Sequence, residues 1–134
     1  MEQKLKWLYV KPVTDKNNIE NIELKYNIKI PDYLKEIIIE HNGGRPLKNI
    51  FNTNKSKERV FKNLLSYNKE DKDNIYMYDN LFYKGYIPFA LTPSGDLICI
   101  NFEKLSVELY LHESDTFEWI CNDIKEFINS LYLI

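Results

Sequence analysis

Residues 86–111, YIPFALTPSGDLICINFEKLSVELYL, decide the fold. The run Tyr86-Ile87-Pro88-Phe89-Ala90-Leu91 reads as a strand, and Pro88, with no N–H to give to a ladder, predicts an edge position or a bulge. Thr92-Pro93-Ser94-Gly95-Asp96 is a turn, because proline presets one φ and glycine supplies a positive one. Leu97 to Phe102 is apolar on both faces, which predicts a central strand. Val107, Leu109 and Leu111 alternate with Glu108, Tyr110 and His112, the pattern of a strand with one wetter face. Connections this short join antiparallel neighbours, so the segment is a meander.

Outward from the meander, the periodicity turns helical. On the C-terminal side, Asn122 is the expected cap and Asp123 suits the helix dipole, with Ile124, Phe127, Ile128 and Leu131 as the inward stripe. On the N-terminal side, Asp15 can cap a helix carrying Ile19, Ile22 and Tyr26, with Asn27 near its end. A second helix opens with Pro31 at a first helical position, where its missing N–H is no loss. Asp32 and Glu36 lie in its N-terminal half, and Leu34, Ile37, Ile38 and His41 face inward. Asn42-Gly43-Gly44 stops it, as these residues accept a left-handed cap. Between Pro46 and Tyr83 the pattern is weaker. Leu47 to Phe51 and Arg59 to Tyr67 are expected strands, the second also fitting a helix, and Asp71 to Tyr83 is an expected short helix. Helices, then strands, then a helix give an α+β domain: a mostly antiparallel sheet with two N-terminal helices and a C-terminal helix packed against it.

The chain has 134 residues, 44% apolar and 28% charged, which predicts one domain over residues 1–134. That composition excludes disorder, and no apolar run approaches the ~20 residues of a spanning helix. The start, MEQKLKWLYVKPVTDK, lacks the apolar stretch of a signal peptide, so a cytoplasmic protein is expected. The net charge of −2 hides a split: residues 1–67 carry 13 basic and 8 acidic side chains (+5), residues 68–134 carry 5 and 12 (−7). The acidic half is either solvated surface or a face that attracts a basic partner. Basic residues gather between Arg45 and Lys62 without an RRM, KH or zinc-finger pattern, so direct nucleic-acid binding is not expected.

Chemistry-bearing motifs are sparse. Cys99 and Cys121 sit among apolar residues and lack zinc-ligand spacing, so both are expected as buried free thiols. His41 reads as structural. His112-Glu113-Ser114-Asp115 offers at most a single histidine beside carboxylates, and no GxGxxG, Walker loop or HExxH occurs. Gly43-Gly44 follows a helix, the reverse of the order a phosphate cradle needs. No cofactor, metal or catalytic residue is expected, and a hydrolase would need an exposed His112 in a cleft beside a carboxylate.

Four blocks in order resemble the SUKH superfamily of Smi/Knr-type proteins. Ile30-Pro31 opens a helix that ends in Asn42-Gly43-Gly44-Arg45-Pro46, preceded by Ile22-Glu23 and Ile28. Ile87-Pro88-Phe89-Ala90 is followed by Ser94-Gly95-Asp96-Leu97-Ile98-Cys99-Ile100. Val107 to Glu113 and Phe117 to Leu131 complete the series. Leu34 stands where an aromatic residue is common, and Tyr110-Leu111 replaces a frequent Trp-Asp pair. The resemblance implies an α+β, SUKH-like fold and a non-enzymatic immunity protein that binds a cognate bacterial toxin, a nuclease or deaminase, and occludes its active site. A general interaction module with a cell-wall or signalling role is the other implied class. For a basic toxin cleft the acidic candidates are Asp96, Glu103, Glu108, Glu113, Asp115 and Glu118, and the aromatic ones Tyr76, Tyr78 and Tyr83. No membrane partner is expected.

Overall fold

The computed structural model describes residues 6–134. In chain order it forms β1 (Trp7–Leu8), α1 (Asn17–Tyr26), α2 (Asp32–His41), β2 (Arg45–Pro46), β3 (Ile50–Phe51), β4 (Arg59–Val60) and β5 (Asn63–Leu64). Then follow α3 (Asp79–Tyr83), β6 (Tyr86–Leu91), β7 (Leu97–Asn101), β8 (Val107–Leu111), β9 (Thr116–Cys121) and α4 (Ile124–Ser130). Strands β5 to β9 make one antiparallel sheet in sequential order, while β1 pairs with β2 and β3 with β4, both antiparallel. This is the expected α+β architecture. No helix among the described residues is long and apolar enough to cross a membrane.

The register explains how the sheet makes a core. Ile87 lies opposite Ile100, which lies opposite Val107, and Ala90, Ile98 and Leu109 form a second row on the same face. All six are at most 1% exposed. Phe127 of α4 meets this layer. Its ring packs edge-on against Phe51 at 5.6 Å and Phe89 at 5.9 Å and stacks on Phe61 at 6.1 Å. Phe89 reaches it because the β6 register steps from Pro88 to Ala90, leaving Phe89 as the extra residue of a bulge. Strand β6 lies between β5 and β7, so of the two positions proline allows, the bulge is the one realised.

Several local expectations shift. Asp15 does accept the Asn17 N–H at 2.9 Å, and Asn27 closes α1 in the left-handed conformation at φ 52°. Pro31 lies just before α2 instead of in its first turn, with ψ 139°, and its carbonyl accepts the Lys35 N–H. The cap of α4 is Asp123, not Asn122: Asp123 is extended and its carboxylate accepts the Glu126 N–H at 2.8 Å. Leu131 falls just past the helix yet remains buried. The expected strand over 47–51 shortens to Ile50–Phe51, and that over 59–67 splits. Phe61 N–H goes to Asn49 O while Lys62 N–H goes to Leu91 O, so the chain changes partner strand midway. The helical alternative for this stretch does not form. Only Asp79–Tyr83 of the helix expected over 71–83 is α-helical. Upstream, Asn74 binds Asp71 O and the Tyr76 N–H through its side chain, a local competitor to helix.

Asn42 is the largest departure. It is not a left-handed stop, since φ is −43° and ψ 130°; Gly43, at φ 70°, takes that role. Asn42 is instead 0% exposed, and its carboxamide donates to Lys11 O at 2.7 Å and Ser66 Oγ at 2.9 Å and accepts from Tyr67 N–H at 2.9 Å. Gly44 is needed for space, because a Cβ there would stand 2.7 Å from His41 O. Substituting Asn42→Leu leaves Tyr67 N–H and Lys11 O without these partners, and should cost about 3 kcal/mol at roughly 1–3 kcal/mol per buried unsatisfied group. Urea unfolding of the variant checks this.

Candidate partner-binding face

The second face of the sheet is built differently. Its rows are Pro88, Cys99, Glu108 and Trp119, then Leu97, Tyr110 and Phe117, with Tyr86 opposite Asn101 at one end. Period-two alternation places these side chains together. Tyr86 stacks on Phe117 with ring centroids 4.0 Å apart, although their strands are separated by β7 and β8. Three strand spacings are roughly 14 Å, so the sheet must curl for these rings to meet. Tyr110 leans on Phe117 at 5.0 Å and Trp119 remains 44% exposed.

Carboxylates and hydroxyls thread this aromatic layer. Glu108 accepts from Ser106 Oγ at 2.9 Å and from Tyr86 Oη at 3.3 Å. Tyr110 Oη donates to Asp115 at 2.8 Å, and Lys84 Nζ reaches the same carboxylate at 3.1 Å. The Tyr110 hydrogen bond, followed by Lys84, holds the Asp115 carboxyl below its usual range. The same bond, then burial, raises the Tyr110 phenol. Burial raises Tyr86 likewise. Cys99 lies beneath the rings, 0% exposed, and burial, followed by the charge of Glu108, pushes its thiol well above the ordinary value. Cys121, also buried and free, is pushed to about 11 by burial first.

The nine residues expected at a partner site do not form one patch. Glu108 and Asp115 belong to the face just described. Glu103 and Glu113 are exposed in the turns at the two ends of β8, and Tyr83 is 77% exposed beside Lys84. Tyr76 and Tyr78 lie apart, half-buried, with Tyr76 Oη donating to Tyr67 O at 2.9 Å. Glu118 lies opposite Leu109, on the side away from Trp119, where it accepts from Thr53 and Ser56 hydroxyls at 2.7 Å each. Partial burial opposes its charge, but those hydroxyls, with Arg59 and Lys55, bring its carboxyl below the usual range. Asp96 is only 6% exposed and holds His112 Nδ1 at 2.7 Å and the His112 N–H at 3.1 Å.

The His112–Asp96 pair is where a hydrolase would have to begin. His112 is exposed beside a carboxylate, yet the Ser94 hydroxyl bonds Asp96 at 3.2 Å, and among the described residues no hydroxyl or thiol bonds the imidazole. The pair ties the β6–β7 turn to the end of β8. Three or more metal-ligating side chains come together nowhere among the described residues. His41 stacks on Trp7 at 5.0 Å.

A family model described as SMI1-KNR4 cell-wall, of the SUKH group, matches residues 16–128. The chain belongs to the SUKH family. No curated protein matches it significantly. The matched span runs from α1 into α4 and so takes in the whole five-stranded sheet of this SUKH chain. Sequence reasoning missed Tyr86, Phe117 and Trp119, and expected Tyr110 to be wet. Tyr110 is only 7% exposed because Phe117 covers it, while Leu111 packs against the core as expected. The missed signal is the period-two spacing of Phe117 and Trp119 on β9, with Tyr110 opposite Phe117 on the adjacent strand.

Two outcomes follow from the titrating groups. Iodoacetamide at pH 7 should leave Cys99 and Cys121 unmodified in the native SUKH chain and label both once urea unfolds it, read by intact mass. The Glu118 carboxyl is depressed in the folded state, so its stabilising contribution is full above the unfolded value near 4.5 and is lost as pH falls through the folded value. Glu118→Gln should therefore flatten the acid limb of a stability–pH curve below about pH 4.5, read by urea unfolding at a series of pH values.

Proposed function

We propose that this SUKH chain is a non-enzymatic immunity protein of the cytoplasm that binds a cognate bacterial toxin, a nuclease or deaminase, and blocks it by occluding its active site. The observation that carries the reading is the union on one sheet face of ring stacks and carboxylates. Toxins that handle nucleic acid present basic clefts, and an anionic surface both competes for such a cleft and speeds encounter. Trp119, Phe117 and Tyr86 supply anchoring area at low entropic cost. Glu108 and Asp115 lie within that area, and Glu103 and Glu113 extend the negative surface past both ends of β8. Asp96 holds the end of β8 through His112, and Glu118 ties the opposite side of β9 to Thr53 and Ser56. Of the three expected tyrosines, Tyr83 is the most exposed, next in sequence to the Lys84 that pairs with Asp115.

The second reading is a general interaction module, and the words cell-wall in the family description favour it. One experiment separates the two. Co-expression with the growth-arresting product of a neighbouring gene should restore growth and yield a stable complex. Trp119→Ala should weaken that complex tenfold or more, as truncating a central aromatic anchor costs about 2 kcal/mol, while Leu24→Ala on α1 changes nothing. If no neighbouring product binds, the immunity reading fails and the interaction module stands.

A further inference from the structure

The basic half of the chain is not used by the face described above. Part of it converges on a cleft of about 230 Å³ between the β1–β2 ribbon and the segment from β5 to Asp73. Its charged lining is Lys11, Arg45, Lys62, Asp71 and Asp73, with Tyr9 at the side. Both acids are engaged from within: Asp71 accepts the Ser66 hydroxyl at 2.6 Å and an Asn68 N–H at 3.1 Å, and Asp73 lies 3.6 Å from Lys62 Nζ. Among the described residues, neither Lys11 nor Arg45 has an ion-pair partner. Tyr9 is 75% exposed and held at φ 58°, a conformation an aromatic residue rarely adopts.

We propose that this cleft receives one carboxylate, an aspartate or glutamate side chain presented by a protein partner, on the Arg45 guanidinium and the Lys11 ammonium. Three cations against two carboxylates leave the cleft with one net positive charge. That balance suits a monoanion, whereas a phosphate dianion would face Asp71 and Asp73 with an unbalanced charge. The volume agrees, since ligand pockets for larger molecules run from about 300 Å³ upward. The guanidinium offers a planar fork that matches both carboxylate oxygens. Tyr9 gives the partner an apolar surface to lie on. Register places this site beside the aromatic face: Asn63, also lining the cleft, is opposite Leu91, and Leu91 is opposite Leu97 in the row of Tyr110 and Phe117. A partner covering the sheet can therefore reach both, meeting negative charge at one end and positive charge at the other.

The inference does not depend on the partner being a toxin, and its test needs no toxin. N-acetyl-glutamate N-methylamide titrated into the full 15N-labelled chain should shift the Gly43, Arg45 and Asn63 amides with millimolar affinity. The uncharged N-acetyl-glutamine N-methylamide should not. Arg45→Gln and Lys11→Gln should each weaken binding about tenfold, a loss in line with one charge-assisted hydrogen bond, while Lys57→Gln changes nothing. Equal shifts from the glutamine compound, tighter binding of inorganic phosphate than of the glutamate compound, or indifference to Arg45→Gln each overturn the assignment. Sedimentation velocity of the free chain adds the last outcome: a dimer abolished by Arg45→Gln would make a second copy the occupant and overturn the partner.

Discussion

Three stretches of chain far apart in sequence meet on the Asn42 carboxamide: the segment after β1, the end of α2 and the run from Ser66 to Tyr67. Lys11 N–H adds a fourth bond, to the Asn42 backbone carbonyl at 2.7 Å. A buried amide with every group used is geometrically demanding, since donors and acceptors must lie in fixed directions at under 3 Å. That demand fixes how the N-terminal ribbon lies against the sheet. Gly44 then leaves α2 with its carbonyl accepting the Leu64 N–H, so the ribbon and the five strands share one continuous surface. The proposed cleft exists because of this join: Lys11, Gly43 and Arg45 surround Asn42 in sequence or in space.

On the other side of the join, the sheet divides its two faces between two tasks. One face carries Ile87, Ile98, Ile100, Val107 and Leu109 and is closed by Phe127 and the helices. The other has tyrosine, phenylalanine and tryptophan side chains laid across a buried thiol, with their polar tips bound to Glu108 and Asp115. A ring that lies flat on its neighbours loses little freedom on binding, so such a layer is pre-organised for contact. Its hydrogen-bonded carboxylates are held by tyrosine hydroxyls, which directs charge without a long mobile side chain. The proposed recognition of a basic surface rests on this layer, and the proposed carboxylate contact rests on the adjacent cleft of opposite sign.

Much of this was legible in the residues. The meander over 86–111, the α2 stripe, the buried thiols and the final helix follow from period-two and period-3.6 patterning, and so does the α+β class. Segments whose conformation rests on side-chain to backbone bonds were not legible. Asn74 draws its neighbours away from helix, and Phe61 and Lys62 divide between two partner strands, although both stretches carry ordinary apolar spacing. Of the expected contact residues, Glu108 and Asp115 reach the aromatic face and Tyr76 and Glu118 do not, because abundance of acids and tyrosines says nothing about which face they occupy.

The amino-acid sequence by itself determined which stretches are strands or helices and which of their positions are apolar, since those preferences act between residues at most a few positions apart. Only the tertiary structure decided that Tyr86 and Phe117 stack across two intervening strands, that Asn42 is an internal hub instead of a helix stop, and that Lys11 and Arg45 line one cleft. These outcomes depend on strand register and sheet curl, which sum contributions from the entire sheet and so leave no local mark in the chain.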